Sequence, residues 1–438
     1  MLGNLELDFC NPTSDEPYSN VVLAGENGTG KTTILESISD FLNFGPLAEI
    51  EFIEYQNQTG IYRAVEPSNN THIIGGYDLI DVDNTATNIP QGSNNKNAQK
   101  DNPKNIRFSG CVFSKARADF KTKKITTAST TELDTGKNEN DSNDDFTSLK
   151  QLLVDINSAD YADYAETNQA NNTEPVSWTD YFPTSKMYRF SCAFENFFEN
   201  LSYSKIENNE GEKEILFKKN GFKISIDDLS TGEKQIVFRG CYLLKNITNI
   251  SNAAIFIDEP ELSMHPKWER RIMSYYKGLF TTGGIQTAQI FYASHSEHVL
   301  ADALSKRETD LTIVLTNEAG QLTAKPVLAP NVLPTITSAE TNYLAFDLVS
   351  NDYHIQLYGQ LQINENLTSV RACDDFILNQ ALYDATLHEK PSTGQGTTTY
   401  TTLPTYIRNT IHHPDGIRTF TEEELRTSIE LLIELLRQ

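Results

Sequence analysis

Val21-Val22-Leu23-Ala24-Gly25-Glu26-Asn27-Gly28-Thr29-Gly30-Lys31-Thr32-Thr33 is an apolar run that breaks into a glycine-rich loop and resumes with helical spacing. The run Val21–Ala24 predicts a buried strand. From Thr32 to about Leu42, Ile34, Leu35, Ile38, Phe41 and Leu42 fall on one face of a helix. Gly25-x-x-x-x-Gly30-Lys31-Thr32 between them is the P-loop pattern in its proper setting, strand before and helix after. Its glycines let backbone N–H groups converge on phosphate oxygens, and the helix N-terminus adds unpaired N–H groups and partial positive charge. Gly25, Glu26, Asn27, Gly28, Thr29, Gly30, Lys31, Thr32 and Thr33 are therefore the candidate phosphate-binding residues. Lys31 would reach the β- and γ-phosphates, and the Thr32 hydroxyl would bind Mg²⁺. The stretch predicts an ATP site in an α/β fold.

Two later apolar runs fit the same sheet. Asn252-Ala253-Ala254-Ile255-Phe256-Ile257-Asp258-Glu259-Pro260 reads as a central strand ending in two carboxylates, and ligands in α/β sheets bind at such C-terminal ends. Asp258 would join the Mg²⁺ shell and Glu259 would polarise the attacking water. Gln289-Ile290-Phe291-Tyr292-Ala293-Ser294-His295-Ser296 repeats the design, with His295 able to hydrogen-bond a γ-phosphate or that water. Between these, Leu229-Ser230-Thr231-Gly232-Glu233-Lys234-Gln235 opens a helix running to about Leu244. Ser230 and Glu233 are spaced as a capping box, and the capped start with Gly232 nearby also offers a second anion site.

Composition narrows the setting. The 438 residues allow two or three domains, and 36 basic against 60 acidic side chains leave a formal charge of −24. So acidic a surface disfavours broad nucleic-acid binding, leaving at most a local contact. Five scattered cysteines form no C-x-x-C pair, which fits a reducing cytoplasm, and no run is long enough to span a membrane. Asn4–Phe9 alternates like a strand, so the first strands suit a small antiparallel sheet. Ala48–Tyr55 and Gly60–Ala64 read as further strands, and the polar stretches 84–105 and 134–145 as loops. Ile106–Phe113 reads as a strand, and Ser114–Lys124 after it is the densest basic cluster, either a solvated junction or a phosphate contact. Residues 146–205 look helical and rich in aromatics. The predicted organisation is a core from 1–64 and 206–330, an insertion over 65–205 and a helical C-terminal domain over 331–438.

Taken together, the motifs resemble an ABC-type ATPase, the class that includes the SMC proteins. Gly25–Thr32 resembles Walker A, Leu229–Gln235 the signature motif and Ile255–Glu259 Walker B. Leu262–Pro266 resembles the D-loop region and His295 the switch histidine, while Gln56 and Gln58 are Q-loop candidates. The insertion lacks the long heptad coiled coil of SMC-type proteins. The resemblance implies an ATP held between one protomer's P-loop and the other's signature motif, with Ser230, Gly232 and Glu233 joining the site in trans. Glu259-Pro-Glu-Leu-Ser-Met-His-Pro266 and Leu229–Gln235 are similar to bacterial anti-phage ATPases, above all the Septu and retron-associated Septu ATPase subunit, with PARIS and OLD-type ATPases as cousins. That similarity implies an oligomer restraining a separate HNH nuclease, with retron RNA–DNA or a reverse transcriptase as further partners.

The C-terminal region carries one more motif. Thr421-x-x-Glu424 is a capping box before an amphipathic helix. Ahead of it, Arg408-Asn409-x-x-x-His413 resembles the RNase motif of HEPN domains, in which Arg408 would stabilise charge and His413 would transfer protons. The simpler reading of these residues is a helix end whose Arg and His satisfy carbonyls and bind a partner. The alternatives to a regulatory ATPase are thus a self-contained toxin with its own RNase and a DNA-repair ATPase.

Overall fold

A computed structural model describes residues 5–43, 47, 50–57, 60–66, 76–90, 111–117, 120, 122–134, 138–140, 146–170, 175–247, 253–318, 321–327, 332–393, 399–414 and 416–438. Its centre is a seven-stranded sheet. In spatial order the strands are Gln321–Pro326, Asp310–Glu318, Asn20–Ala24, Gln289–Ala293, Ala254–Asp258, Cys111–Ser114 and Asn138–Asn140. All neighbours pair in parallel except the first two, whose pairing is antiparallel. The middle strands lack alternation because both faces are covered: every residue of Asn20–Ala24 is buried. One face packs on the helix Lys31–Leu42 through Ile34 and Leu35. The other packs on the helices Phe146–Ala170, Lys186–Phe197, Thr231–Leu244 and Pro266–Leu279.

The P-loop strand, the acidic strand Ala254–Asp258 and the histidine strand Gln289–Ala293 lie side by side, so their C-terminal ends meet at one edge. This confirms the α/β reading and the central placement of the three apolar runs. Elsewhere the sequence misleads. Residues 5–9 are not a strand; Leu5, Leu7 and Phe9 alternate because they pack on the sheet's core, and only a Cys10–Pro17 bridge follows. Cys111–Ser114 and Asn138–Asn140 come from within 65–205 yet complete the main sheet. Asn138–Asn140 and Ala86–Pro90 are strands where polar composition suggested loops, since backbone pairing supplies what the side chains do not. The rest of 91–105 and 134–145, and Ile106–Gly110, falls mostly or wholly outside the described residues.

Phe52–Asn57, Gly60–Val65, Gly76–Ile80 and Ala86–Pro90 form a separate antiparallel sheet packed against Phe41. Leu201–Asn209, Glu212–Lys219 and Phe222–Ser225 make a three-stranded sheet; the first of these strands begins inside 146–205, which looked helical, while the alternation of Gly221–Asp228 does mark a strand. The C-terminal domain has its own core around Tyr353, Leu357, Ile407, Ile429 and Leu432. His354 lies inside it, bonded through Nε2 to Ser428 Oγ at 2.9 Å, and burial pushes its pKa down to about 3. Among the described residues no helix is long and apolar enough to cross a membrane.

Candidate nucleotide site

The P-loop turns as its glycines require. Gly25, Gly28 and Gly30 have φ of 143°, 86° and 84°, a region that other residues rarely adopt. At Gly25 space is decisive too, because a Cβ would come within 2.5 Å of the Leu315 carbonyl. Thr29 Oγ1 donates to Glu26 O at 2.8 Å and closes the loop. Lys31 is buried, and its ammonium donates to Gly25 O at 2.7 Å and Glu26 O at 2.9 Å. These two bonds leave one of its three N–H donors for a phosphate oxygen. Burial lowers the Lys31 pKa, and the carboxylates of Glu259, Asp258 and Glu261 oppose that shift.

Thr32 and Asp258, 226 positions apart, meet here: Thr32 Oγ1 donates to Asp258 Oδ1 at 3.0 Å. Asp258 is 4% exposed, and burial raises its carboxyl pKa while the Thr32 hydroxyl holds it down. A hydroxyl and a buried carboxylate at this separation are a donor set that suits Mg²⁺, which takes hard oxygen ligands and keeps several waters. The next residue, Glu259, has φ 43°. Its N–H donates to Ala293 O at 2.9 Å, tying the strained turn to the histidine strand. The Glu259 carboxylate lies 3.9 Å from His295 Nδ1. Of the nine P-loop residues, the structure thus brings Lys31 and Thr32 directly into one constellation with Asp258, Glu259 and His295.

The signature residues sit differently. Ser230 caps the helix Thr231–Leu244: its hydroxyl accepts from Glu233 N and donates to Glu233 Oε2 at 2.8 Å. Glu233 Oε1 pairs with Lys219 at 2.8 Å, so both carboxylate oxygens are engaged and the side chain is buried. Gly232 packs so closely on the D-loop that a Cβ would lie 2.8 Å from Ser263 O. The side-chain bonds of Ser230 and Glu233 run to each other and to Lys219, not to Lys31, Thr32 or Asp258. Gln56, a Q-loop candidate, pairs with Ile61 in the separate antiparallel sheet, and Gln58 lies outside the described residues.

Three positioning side chains are given no role by the sequence pattern, although Glu261 and Gln235 lie within the motif stretches. Glu261, 5% exposed, accepts from Ser294 Oγ at 2.7 Å and from His295 N at 3.1 Å, so it fixes the end of the histidine strand. Burial raises its pKa. Arg239, fully buried on the signature helix, donates to Asp258 O at 2.6 Å and Lys115 O at 3.1 Å. Gln235 Nε2 donates to Arg117 O from the same helix. Arg239 thereby links the signature helix to the acidic strand. Burial is what makes these residues matter, and burial is not written in their spacing.

Among the described residues, three side chains of the basic cluster make internal contacts; Lys121 lies outside the described residues. Lys115 pairs with Glu36 at 2.5 Å, the Arg117 guanidinium lies 4.4 Å from the Phe238 ring centre, and Lys124 pairs with Glu212. Arg408 and His413 lie on the C-terminal helix Leu403–His412 and its cap, apart from the P-loop constellation. Arg408 Nη1 donates to Asn409 Oδ1 at 3.0 Å, and Arg418 Nη2 to His413 O at 3.1 Å. Burial, Arg408 and His413 together lower the pKa of His412.

A search of curated proteins finds no match. Among solved structures, the SMC head domain from Thermotoga maritima is similar at 16% identity and a TM-score of 0.34, covering 72% of this chain and 92% of that one. A SmcHead bound to the C-winged helix domain of ScpA aligns at 12% identity and a TM-score of 0.39, over 71% of this chain and 92% of that one. The Smc head domain with an extended coiled coil, bound to the C-terminal domain of ScpA from Pyrococcus furiosus, gives 12% and 0.36 over 71% and 91%. Residues 21–301, from the P-loop strand to the helix after His295, match a family profile, and the chain belongs to that family, described as "AAA domain, putative AbiEii toxin, Type IV TA system".

Proposed function

We propose that the chain is an ABC-type ATPase that binds and hydrolyses ATP with Mg²⁺, acting as the regulatory subunit of an anti-phage defence complex. In this reading it works as a dimer or larger assembly that restrains a separate nuclease of the HNH type. The observation that carries the ATPase reading is the 3.0 Å bond between Thr32 and Asp258 beside the buried Lys31, with Glu259 and His295 at adjacent strand ends. Thr32 and Asp258 would hold Mg²⁺, which when bound supplies charge neutralisation at the β- and γ-phosphates. Lys31 supplies the fixed cation, Glu259 accepts a proton from the attacking water, and His295 orients that water or the γ-phosphate. The defence role draws on the family's description, which names a toxin and a toxin–antitoxin system, and on the motif similarity to the Septu and retron-Septu ATPase subunit. The acidic surface and the pairing of the basic cluster support protein partners over extended nucleic acid.

Lys31→Ala tests the site. Losing a buried cation that faces phosphate costs about 3 kcal/mol or more, which is roughly 100-fold in Kd. Calorimetry should show ATP binding weakened by at least that factor. Unchanged affinity would remove the basis of the ATPase reading.

A second reading keeps one specific observation in view: Arg408 and His413 lie close enough to His412, at a solvent-facing helix end, to lower its pKa together with burial. Such a cluster could act on RNA phosphates. The regulatory reading expects purified chain to leave RNA intact with or without ATP. Degradation that Arg408→Ala or His413→Ala abolishes, with ATP turnover kept, would favour the self-contained toxin.

A further inference from the structure

The mouth of the P-loop is shared with the C-terminal domain. A cleft of about 440 Å³ has Glu26, Asn27 and His295 on one side and Asn342, Phe346 and Leu348 on the other. His295 and the neighbouring Glu259 mark the end where a terminal phosphate would sit, so this wall stands at the γ-phosphate end of the site. Three features fix it there. Asn342 Nδ2 donates to Glu297 Oε2 at 2.8 Å, joining the helix Ser338–Phe346 to the helix that starts just after His295. That short helix also serves two cores, since Ala345 and Phe346 pack in the ATPase core while Ala339 and Tyr343 pack in the C-terminal one.

The third feature is a clasp. The helix ends at Asp347 in the left-handed region, φ 55°, with Leu348 N donating to Asn342 O at 3.2 Å. With Asp347 N also donating to Tyr343 O at 3.1 Å, this is a helix stop in the left-handed conformation, with aspartate where glycine is usual. It turns Leu348 out at the cleft, leaving it 53% exposed. Arg426, on the last helix Glu422–Leu436, grips the turn with both terminal nitrogens: Nη1 to Asp347 Oδ1 at 2.5 Å and Nη2 to Asp347 O at 2.9 Å. The turn and the two-point arginine contact hold Leu348 at the cleft beside Gly25, Glu26, Asn27 and His295.

We infer that Asn342–Leu348 is part of the nucleotide site, an apolar wall that shields the terminal phosphate of a nucleoside triphosphate and carries its presence to the C-terminal domain. The inference rests on the ATP-site reading above and assigns the C-terminal domain a place in it. Acidic Glu26 and Glu297 on the cleft keep the wall from being a phosphate-binding surface itself; its part is to exclude water around bonds made by the P-loop. Because the Asp347–Arg426 contact holds the wall in place, loosening it is expected to weaken a ligand the wall touches.

The experiment compares Mg·ATP and Mg·ADP binding by calorimetry in the full chain for wild type, Leu348→Ser and Arg426→Ala. Leu348 is largely exposed, so its replacement leaves the fold intact even if the loss of the clasp does not. Each variant is expected to weaken ATP binding three- to tenfold while ADP affinity stays within twofold of wild type. An unchanged ratio of ATP to ADP affinity in Leu348→Ser, or equal weakening of both nucleotides, overturns the inference while leaving the ATP site standing. A wild-type chain that binds neither nucleotide sinks both readings, and that outcome is distinct from the others.

Discussion

Glu259→Gln is expected to bind Mg·ATP about as tightly as wild type while turning it over roughly 10²–10⁴-fold more slowly, the usual worth of a positioned general base. Glutamine keeps the length and shape of the side chain, so the left-handed turn at φ 43° and its bond from Glu259 N to Ala293 O remain. What goes is the carboxylate that can take a proton. The electrostatics sharpen the contrast, because losing one of the three carboxylates that oppose the lowering of the Lys31 pKa also lowers the negative charge facing ATP. Affinity should therefore hold or rise while turnover falls. Single-turnover hydrolysis beside equilibrium binding separates the two effects. A variant that hydrolyses within tenfold of wild type would move the base elsewhere, and Glu261 would be the next to replace, since it lies 3.7 Å from His295 Nδ1.

How much of this site is legible in the sequence depends on whether the needed physics is local. The P-loop, the acidic strand and the histidine strand are each a buried run ending in a reactive group, and such runs announce themselves within ten residues. Thr32 and Asp258 follow from motif order alone. Glu261 does not: Glu259-Pro260-Glu261 offers two similar carboxylates, and only the fold sends the second into a dry pocket under Ser294. Cys111–Ser114 was legible as a strand but not as part of the main sheet, because its partner lies some 140 residues later. Leu5, Leu7 and Phe9 show the opposite error, a strand-like alternation produced by packing without pairing. The wall at Leu348 is silent in sequence, since nothing in an ordinary helix end foretells which surface it will meet.

The second large effect concerns mixtures. Ser230 is exposed at the start of its helix with its hydroxyl bonded to Glu233, while Lys31 is buried in the P-loop. If ATP bridges two copies, one complete site needs Lys31 from one protomer and Ser230 from the other. Ser230→Arg alone should bind ATP at a sound P-loop but fail to turn it over, because a bulky cation replaces the hydroxyl at the seam. Lys31→Ala alone should be inactive for want of binding. Mixed and allowed to exchange subunits, the two are expected to regain activity, since each heterodimer pairs an intact P-loop with an intact signature motif at one of its two sites. In a random equal mixture half of the dimers are mixed and each has one working site, so recovery should approach a quarter of wild-type turnover per chain, about 25% by that count. Exchange is monitored independently with two fluorescent labels, and the fold of each variant by its melting curve. If labelled, folded subunits exchange and the mixture stays inactive, ATP is not shared between copies, and regulation has to run through a single chain.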